Sequence, residues 1–458
     1  MRATVEAQRQ QIAELTALLK QMSSNSNKPP SSDPPQAPPK RPRKPSGRKR
    51  GGQPGHDKHE RALVPPEQVT AVLEVKPEYC RACSRELSGT DPEPYRHQVS
   101  DIPKIAPLVH EYRLHSLRCA GCATTTQARV PDGVPTGMFG PRLQAIVAVA
   151  SGSYRMSKRN VEDMLQDFFG VEISLGSIAK LEHSTSEALA APVQEVAAEI
   201  KKAPVVHADE TGWYQRSKRA WLWVVASAQL ACFLVSHSRG AQVAKQLLGE
   251  TFAGFLVSDR WSAYAWVDVK RRQLCWAHLI RQFVGFQDYG DEAAKFGKGL
   301  TALAEEMFVL WHRVRDGTLS RSGFRRQMKP IEGVVVAYLR ACARLPVAKV
   351  AGRACEILAL KDALWTFVRH QGIEPTNNYA ERLVRHGVLW RKCSFGTDSE
   401  AGSRFVERIL TTVATLRLQR RNVLDYIEHA CRSALLDHRP ASLLPAAPSD
   451  DAILAQAA

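Results

Sequence analysis

Hydrophobic residues near the N-terminus follow a repeat typical of coiled coils. Five of them are spaced seven apart in two series offset by three residues: Val5, Ile12, Leu19, Leu15 and Met22. This a/d pattern, broken only at Gln8, predicts a short self-associating helix over residues 1–24. The alternative is an amphipathic helix that lies on the surface of its own chain.

Residues 25–66 contain many prolines and few apolar residues, so they cannot bury a core, and we expect a disordered linker. Seven basic residues follow one another there without an acid among them: Lys40, Arg41, Arg43, Lys44, Arg48, Lys49 and Arg50. A basic arm spaced by proline and glycine can follow a DNA groove and neutralise phosphates. A solvated linker that only aids solubility is the alternative.

Apolar and polar residues alternate in parts of residues 67–130, as at 69–75 and 110–117, and this pattern predicts short strands. Two cysteine pairs, each with two intervening residues, lie in this region: Cys80, Cys83, Cys119 and Cys122. Such spacing lets both sulfurs of a pair face one ion, and four thiolates satisfy tetrahedral Zn²⁺. We therefore predict a zinc ribbon with a structural zinc ion. Redox pairs are the alternative, but those sit at a helix start near a βαβ unit.

The spacing of apolar residues changes to a helical period in residues 138–195. Pro141 can open one helix, Ser157 can cap a second, and Ser174 can cap a third after a turn at Gly170. Helix, turn and helix in this order are consistent with a helix-turn-helix that binds DNA. Helix pairs of this kind also occur in many other helical domains.

Residues 203–282 hold short β-rich runs at 205–206, 220–226, 232–235 and 254–257, with a helical stretch at 241–248. Strands in this order predict a mixed sheet covered by helices, in a multidomain α/β protein. Residues 283–372 have a helical pattern, and residues 376–435 predict two long helices with a loop at 394–402. We expect the Ala- and Pro-rich tail, 439–458, to be disordered.

Length and charge narrow the class of protein. A chain of 458 residues with 44% hydrophobic content is long enough for two to four domains. The net charge of +17 indicates a polyanionic partner, of which nucleic acid is the commonest. The sequence contains no uncharged apolar run of about 18 residues, so we expect no membrane span. We also expect no secretory signal, because the first residues lack an apolar core. We expect a cytoplasmic protein with reduced thiols, and we expect six further cysteines in its core: Cys232, Cys275, Cys342, Cys355, Cys393 and Cys431.

Two aspartates each follow an apolar strand, Asp209 after the first run and Asp259 after the fourth. If these strands are neighbours, both carboxylates can reach one ion at the exposed strand ends. Two divalent ions about 3.5–4 Å apart can activate a nucleophile and stabilise the leaving oxygen in phosphodiester chemistry, and carboxylates suit Mg²⁺ or Mn²⁺. Glu381 is our candidate third acid because Thr376 or Asn377 can cap a helix there. Spacing alone does not select it over Glu374, Glu400 or Glu407.

Further residues near these acids have two interpretations. His278, Arg382, Arg391 and Lys392 are candidates for phosphate contacts or for stabilising transition-state charge, and the alternative is ordinary surface charge. Five aromatic residues can stack on an unpaired base or pack in the core: Trp213, Tyr214, Trp261, Tyr264 and Trp276. We expect packing for Trp276.

The ordered motifs together resemble the insertion sequence 66 family of bacterial DDE transposases over nearly the whole chain. The N-terminal heptads look like its leucine zipper, residues 23–33 and 51–56 look like its linker, and the cysteine quartet looks like its zinc-binding domain. The remaining motifs resemble those around its catalytic acids: Asp209-Glu210-Thr211, Asp259-x-Trp261-x-x-Tyr264, Cys275-Trp276-Ala277-His278, Asn377-Asn378-x-Ala380-Glu381-Arg382 and Arg391-Lys392.

This resemblance implies an RNase H-like catalytic core made of residues 203–282 and 373–435, interrupted by a helical insertion at 283–372. It implies that Asp209, Asp259 and Glu381 bind two Mg²⁺ or Mn²⁺ ions. It also implies cleavage at inverted-repeat DNA ends, strand transfer into target DNA, nucleoid association during the reaction and small accessory proteins of the same element. The coiled coil and the need to hold two DNA ends indicate a homo-oligomer.

Two other functions remain open from the sequence. A decayed transposase that only binds DNA as a regulator would show no metal-dependent cutting. A stand-alone nuclease on the same core would cut DNA but would not join it, so a strand-transfer assay separates it from a transposase.

Overall fold

The computed structural model describes residues 62–445, together with Gln8, Gln11, Ile12, Leu15, Thr16, Met22, Ser23 and Asn25. Gln8, Gln11, Ile12, Leu15 and Thr16 are helical and exposed. The rest of the predicted coiled coil, the basic arm and residues 446–458 lie outside the described residues. The chain divides into two compact units, one of Pro38–Pro107 and one of Met1–Ala37 with Leu108–Ala458.

The smaller unit has little regular structure in its described part. It contains a 3₁₀ turn at Pro66–Gln68 and an isolated antiparallel bridge between Tyr79 and Glu86. The prediction of a strand at 69–75 is wrong, because no described segment pairs with these residues. Their apolar side chains stay in solvent, with Leu73 85% exposed. Alternation favours a strand only where a partner accepts the backbone hydrogen bonds and one face is covered.

The first strands of the larger unit form an antiparallel hairpin, β1 (Ser116–Arg118) and β2 (Thr125–Gln127). Ser116 pairs with Gln127 in this hairpin. The strand predicted at 110–117 is therefore present only at its C-terminal end.

Four helices follow: α1 (Pro141–Gly152), α2 (Lys158–Phe169), α3 (Leu175–Ala188) and α4 (Ala190–Glu199). The predicted caps are confirmed. The Ser157 hydroxyl accepts a hydrogen bond from Asn160 N, and the Ser174 hydroxyl accepts one from Ser177 N. Gly170 ends α2 at a φ of 64°, in the left-handed region that glycine adopts without strain.

A five-stranded mixed sheet forms the centre of the larger unit: β3 (Val205–Gln215), β4 (Lys218–Ala226), β5 (Ala231–Ser236), β6 (Phe255–Ser258) and β7 (Arg272–Leu274). Its strand order is β5-β4-β3-β6-β7. The first three strands are an antiparallel meander, whereas β6 and β7 run parallel to β3. Helix α5 (Ala241–Leu248) connects β5 to β6 and was predicted, but the three-residue β7 was not.

The segment between the sheet and the last helices is helical, as predicted: α6 (Trp276–Phe286), α7 (Asp291–Arg315), α8 (Arg321–Cys342), α9 (Ala348–Ala359) and the short α10 (Thr366–Arg369). Leu300, Met307 and Phe324 are fully buried in its core, which continues onto Val257 and Leu274 of the sheet. Trp276 is also fully buried and its Nε1 donates to the Leu364 carbonyl at 2.9 Å, which confirms packing for this residue.

Three helices complete the described chain: α11 (Asn378–Ser394), α12 (Glu400–Leu418) and α13 (Val423–Leu435). The prediction of two long helices is wrong, because the chain turns at Arg420, where φ is 57°, and a new helix starts after Asn422. The Asn422 side chain accepts a hydrogen bond from Asp425 N and thereby caps α13.

Helices cover both faces of the sheet. Trp223 and Val225 of β4 belong to the same buried cluster as Val243 of α5, whereas Leu222 and Val224 pack with residues of α11 and α12. Alternate residues of a strand point to opposite faces, so the two clusters lie on the two sides of the sheet. Helices therefore cover both faces of β4, which pairs with the strand that carries Asp209.

The first residues of the predicted tail are ordered against the helices. Leu443 is fully buried, and the Ser442 hydroxyl donates to Glu195 Oε2 at 2.7 Å. Disorder was therefore the wrong expectation for residues 439–445. Among the described helices, none combines the length and apolar character needed to cross a membrane.

Candidate active site

The register between β3 and β6 brings the two predicted aspartates together. His207 pairs with Val257 across the parallel strands, and Asp209 and Asp259 each lie two residues further along. Residues two apart on a strand share a face, so the register directs both carboxylates to the same side. One expectation needs correction: Asp209 does not stand at a strand end, because β3 continues to Gln215 through its pairing with β4.

Glu381 lies in the first turn of α11, as predicted. Asn377 precedes this helix, but its side chain does not cap it. Instead, Asn377 Nδ2 donates to the Ala208 carbonyl at 2.7 Å, and its Oδ1 lies 3.2 Å from His207 Nδ1. These contacts tie the start of α11 to β3, directly beside Asp209.

The three acids perturb one another electrostatically. The pKa of Asp209 is raised well above its ordinary value, first by burial and then by the charges of Glu210, Asp259 and Glu381. Burial also raises the pKa of Glu381, and the charge of Asp259 adds to the effect. The three carboxylates are therefore close enough to repel one another, which is the electrostatic setting of a site for a cation.

Asp259 is held by its own loop. Burial raises the pKa of its carboxyl, while the backbone N–H of Trp261 and the guanidinium of Arg239 oppose that rise. The Trp261 N–H donates to Asp259 Oδ1 at 2.8 Å. One carboxylate oxygen of Asp259 is thus fixed by a hydrogen bond within the loop that follows β6.

Glu210 belongs to this site but was missed from the sequence. It points to the other face of β3, where its side chain is only 2% exposed. Arg239 donates to Glu210 Oε1 from Nε at 2.9 Å and from Nη2 at 2.7 Å, and the Tyr264 hydroxyl donates to Oε2 at 2.8 Å. The Asp-Glu dipeptide within a strand was the available signal, since neighbouring side chains there point to opposite faces.

The two aromatic residues of the Asp259 loop lie on this network. Tyr264 is 1% exposed, so it is a packing residue. Trp261 is half-buried, its Nε1 donates to the Arg239 carbonyl at 2.9 Å, and its ring lies 3.8 Å from the Arg239 guanidinium carbon. The loop that carries Asp259 is therefore clamped through Arg239 to Glu210.

His278 and Cys275 lie beside Glu381. His278 Nδ1 is 3.4 Å from Glu381 Oε1, and Cys275 Sγ is 3.9 Å from the same oxygen. Burial, together with the charges of Arg281 and Arg260, lowers the pKa of His278 to about 3, so its imidazole is neutral. The sequence predicted Cys275 to be a core residue within a family motif, but it did not predict the contact with Glu381. Four of the six cysteines expected in the core are buried, namely Cys232, Cys275, Cys342 and Cys431, whereas Cys355 and Cys393 are exposed, against expectation.

Three further predicted phosphate contacts near the acids, Arg382, Arg391 and Lys392, lie on α11 in different surroundings. Arg391 Nη1 donates to the Gly212 carbonyl and lies 3.5 Å from Thr211 Oγ1, so this guanidinium ties α11 to β3. Lys392 is exposed. Arg382 lies 5.9 Å from the ring centre of Tyr379 and lines a cavity of about 800 Å³ at the start of β3.

Each cysteine pair forms a tight turn of the same type. In the first pair, Cys80 N donates to Arg85 O at 2.8 Å and Ser84 N donates to Cys80 O at 2.9 Å. Ser84, directly after the second cysteine, has a φ of 55°. The pKa of Cys80 is lowered, mainly by the backbone N–H of Ala82.

The second pair repeats these contacts. Cys119 N donates to Thr124 O at 2.9 Å, Ala123 N donates to Cys119 O at 2.9 Å, and Ala123 has a φ of 58°. The pKa of Cys122 is lowered, first by the hydroxyl of Thr124. The two pairs belong to different compact units, and zinc binding by these four cysteines remains a prediction.

Comparison with known proteins finds one family model over most of the chain's second half and beyond, and two similar proteins. A family model described as Transposase IS66 family matches residues 136–404, more than half of the chain, and a model of a family of unknown function (DUF6444) matches residues 1–62. Two proteins of Sinorhizobium fredii (strain NBRC 101917 / NGR234) are similar. Uncharacterized protein y4qI is 26% identical over 415 residues, which cover 81% of this chain and 74% of that protein. Uncharacterized protein y4hP is 22% identical over 393 residues, which cover 77% and 69%.

The matched region contains Asp209, Asp259 and Glu381, and the resemblance seen in the sequence motifs is confirmed. This chain belongs to the IS66 family of transposases.

Proposed function

We propose that this protein is a DDE transposase that cuts DNA at the inverted repeats of an insertion sequence and joins the ends to target DNA. Asp209, Asp259 and Glu381 are its proposed catalytic acids. The observation that carries the proposal is the β3–β6 register, which puts Asp209 and Asp259 at equivalent positions of neighbouring parallel strands. Asn377 ties the start of α11, the helix that carries Glu381, to β3 beside Asp209.

An RNase H-like core is the fold we propose for the catalytic part. Its support is the strand order β5-β4-β3-β6-β7, with β4 antiparallel to its neighbours and β6 and β7 parallel to β3. Asp209 lies on the central strand β3, and Asp259 follows the parallel strand β6 beside it. Glu381 lies on α11, a helix that packs against the sheet. The helical segment 283–372, with α7 to α10, is then an insertion before α11, the helix that carries Glu381.

The residues of the site fit divalent metal ions. Burial, and then the charges of Glu210, Asp259 and Glu381, raise the pKa of Asp209. A bound cation removes such repulsion, and oxygen donors suit Mg²⁺ or Mn²⁺. Asp209, Asp259 and Glu381 would hold two ions, whose chemistry is to activate a water or 3′-hydroxyl and to stabilise the leaving oxygen. Around them, the Trp261 N–H orients Asp259 and Asn377 positions the helix of Glu381.

The other parts of the chain have supporting roles in this proposal. Cys80, Cys83, Cys119 and Cys122 are the proposed ligands of structural zinc, and the tight turn that each pair forms supports a metal-binding role for that pair. The basic arm at Lys40–Arg50, with Lys392 and Arg382, contacts DNA phosphates. Two ends must be held at once, so the active form is a homo-oligomer, with accessory proteins of the same element as further partners.

The test is an assay of the purified protein with labelled DNA that carries the element's own end, in Mg²⁺, in Mn²⁺ and in chelator. Wild-type protein should nick the end and form joined product only with metal. Asp209→Asn should do neither and should bind the DNA as the wild type does. Asp291→Asn, which changes an exposed acid of α7, should behave as wild type.

Three results would contradict the proposal. Joining by Asp209→Asn at the wild-type rate would remove Asp209 from the catalytic site. Binding without cutting, even with the element's accessory products added, would favour a regulator. Cutting without joining would favour a stand-alone nuclease.

A further inference from the structure

Three different kinds of ligand atom meet where α6 and α11 begin. Cys275 Sγ, His278 Nδ1 and a Glu381 carboxylate oxygen all lie within 4.8 Å of one another. Sγ is 3.9 Å and Nδ1 is 3.4 Å from Glu381 Oε1. Ligand atoms bound to one tetrahedral zinc ion are about 3.3–3.8 Å apart, given zinc bonds of about 2.0–2.3 Å. The three atoms therefore need only small shifts to surround a single ion.

The imidazole has an unused nitrogen at this point. Among the described residues, His278 Nδ1 has no hydrogen-bond partner, although it is buried. A buried polar atom without a partner is unfavourable, because it has lost its hydrogen bonds to water. A metal ion between Nδ1 and Glu381 Oε1 would remove that cost.

The thiol is also prepared for a metal ion. Cys275 Sγ is buried and accepts a hydrogen bond from Asn377 N at 3.1 Å. Backbone N–H groups that donate to a sulfur support it as a metal ligand. Without an ion, the thiol donates towards Glu381 Oε1; a binding ion displaces that proton, which leaves to solvent as the Sγ–metal bond forms.

One side of the cluster opens to a small cavity of about 170 Å³. Asp259, Cys275 and His278 line it, together with Gln282 and Glu356. A fourth ligand, either a water molecule or the carboxylate of Asp259, can reach the ion from this side. Three protein ligands with an open fourth position are the usual arrangement of a zinc site that is not purely structural.

We propose that Cys275, His278 and Glu381 bind a thiophilic divalent cation of the Zn²⁺ class, at a site distinct from the four-cysteine ribbon. Sulfur and imidazole donors favour such ions over Mg²⁺, which prefers oxygen alone. Glu381 is also a proposed ligand of the catalytic ions. The thiophilic ion and Mg²⁺ therefore compete for Glu381, so Zn²⁺ inhibits DNA cleavage; this consequence rests on the proposed function, whereas the binding does not.

The binding is tested with Co²⁺ as the probe, because Co²⁺ bound to thiolate absorbs in the near ultraviolet. Full-length wild type should bind one more Co²⁺ than Cys275→Ser, and the difference spectrum should show a single thiolate ligand. Cys232→Ser, which changes a buried cysteine of β5, should lose neither the ion nor the absorption. His278→Asn keeps the thiol and should weaken Co²⁺ binding at this site by about tenfold or more.

The outcomes separate the two proposals. If Cys275→Ser remains folded by circular dichroism and retains the wild-type Co²⁺ number and spectrum, the site is overturned. If Cys275→Ser unfolds, His278→Asn decides, and unchanged Co²⁺ affinity in that variant overturns the site. Inhibition of cleavage by Zn²⁺ that is weaker in Cys275→Ser supports competition for Glu381, and equal inhibition in both proteins overturns it. Absence of any metal-dependent cleavage would contradict the proposed function and leave the spectroscopic result standing.

Discussion

At the scale of single residues, the surroundings of Asp209 disfavour the ionised form of its carboxyl. Its pKa is raised by burial and by three neighbouring acids, so the folded protein holds a proton on it more tightly than the unfolded chain does. Unfolding then releases that proton between the ordinary pKa of about 4 and the raised pKa of the folded state. Stability in this window must fall as pH rises.

We predict this pH dependence in protein kept free of divalent ions by a chelator. The free energy of unfolding of the wild type should fall, relative to Asp209→Asn, as pH rises from about 4. Above the raised pKa the variant should be the more stable protein, and saturating Mg²⁺ or Mn²⁺ should reverse the order. Urea denaturation at a series of pH values measures the effect, and parallel curves for the two proteins would contradict it.

At the scale of elements, helix α12 covers the β5 edge of the sheet. β5 is an edge strand, and the backbone N–H groups of three alternate residues in it donate to side chains spaced one turn apart on α12. Val235 N donates to Glu407 Oε1 at 2.6 Å, Phe233 N to Thr411 Oγ1 at 3.0 Å, and Ala231 N to Thr415 Oγ1 at 3.1 Å. An uncovered edge of this kind would invite pairing with another chain.

Two adjacent threonines of α12 test this arrangement. Thr411 and Thr412 are both fully buried, but Thr412 Oγ1 has no hydrogen-bond partner among the described residues. Thr411→Val leaves the Phe233 N–H buried and unpaired, so it should lower the free energy of unfolding by about 1–3 kcal/mol. Thr412→Val loses no hydrogen bond and should be neutral or stabilising. Equal losses in denaturation experiments on the two variants would show that the hydroxyl does not cap the strand.

Close packing also fixes helix α11, which carries Glu381. A Cβ atom added at Gly387 would collide with the Leu222 side chain of β4, whereas one added at Gly352 of α9 would meet nothing within 4 Å. Gly387→Ala should therefore push α11 from the sheet, at a cost of about 1–3 kcal/mol, and slow DNA cleavage. Gly352→Ala should raise stability, because alanine is the better helix former. Thermal denaturation and the cleavage assay measure both, and wild-type behaviour of Gly387→Ala would mean that α11 has room to adjust.

At the scale of the whole molecule, charge is unevenly placed along the chain. The first 60 residues hold 12 Lys and Arg against 5 Asp and Glu, so +7 of the net +17 lies there. Each phosphate that a cation neutralises releases counterions and makes DNA binding depend more steeply on salt. If the basic arm contacts DNA, it should account for a measurable part of that dependence.

Replacing the seven basic residues of Lys40–Arg50 by glutamine should weaken DNA binding at every sequence tested. The slope of log K against log salt should become shallower by about 0.9 for each lost phosphate contact. Glutamine at five exposed cations of the helical insertion should change the slope less: Arg313, Arg326, Lys329, Arg340 and Arg344. Fluorescence anisotropy over a salt series measures the slopes, and an unchanged slope for the arm variant would remove it from the DNA interface.

Features that depend on neighbouring residues were determined by the sequence. Ser157, Ser174 and Gly170 set helix boundaries through contacts within a few residues, so their roles followed from residue type and position. The order of motifs placed Asp259 directly after an apolar strand, and it identified the family. The helical insertion was also visible, because its helices are long enough to show their period.

Features that depend on distant residues were decided only by the tertiary structure. The register of β6 on β3 selects which face the aspartates share, and Asn377 leaves its capping role for Ala208 because that carbonyl is present beside it. β7 has three residues and no periodicity to detect, while residues 69–75 have the periodicity but no partner. Cys275 and His278 meet Glu381 across about a hundred residues of chain, a proximity that only folding creates. The sequence thus determined which chemical groups this protein carries, and long-range packing decided which of them act together.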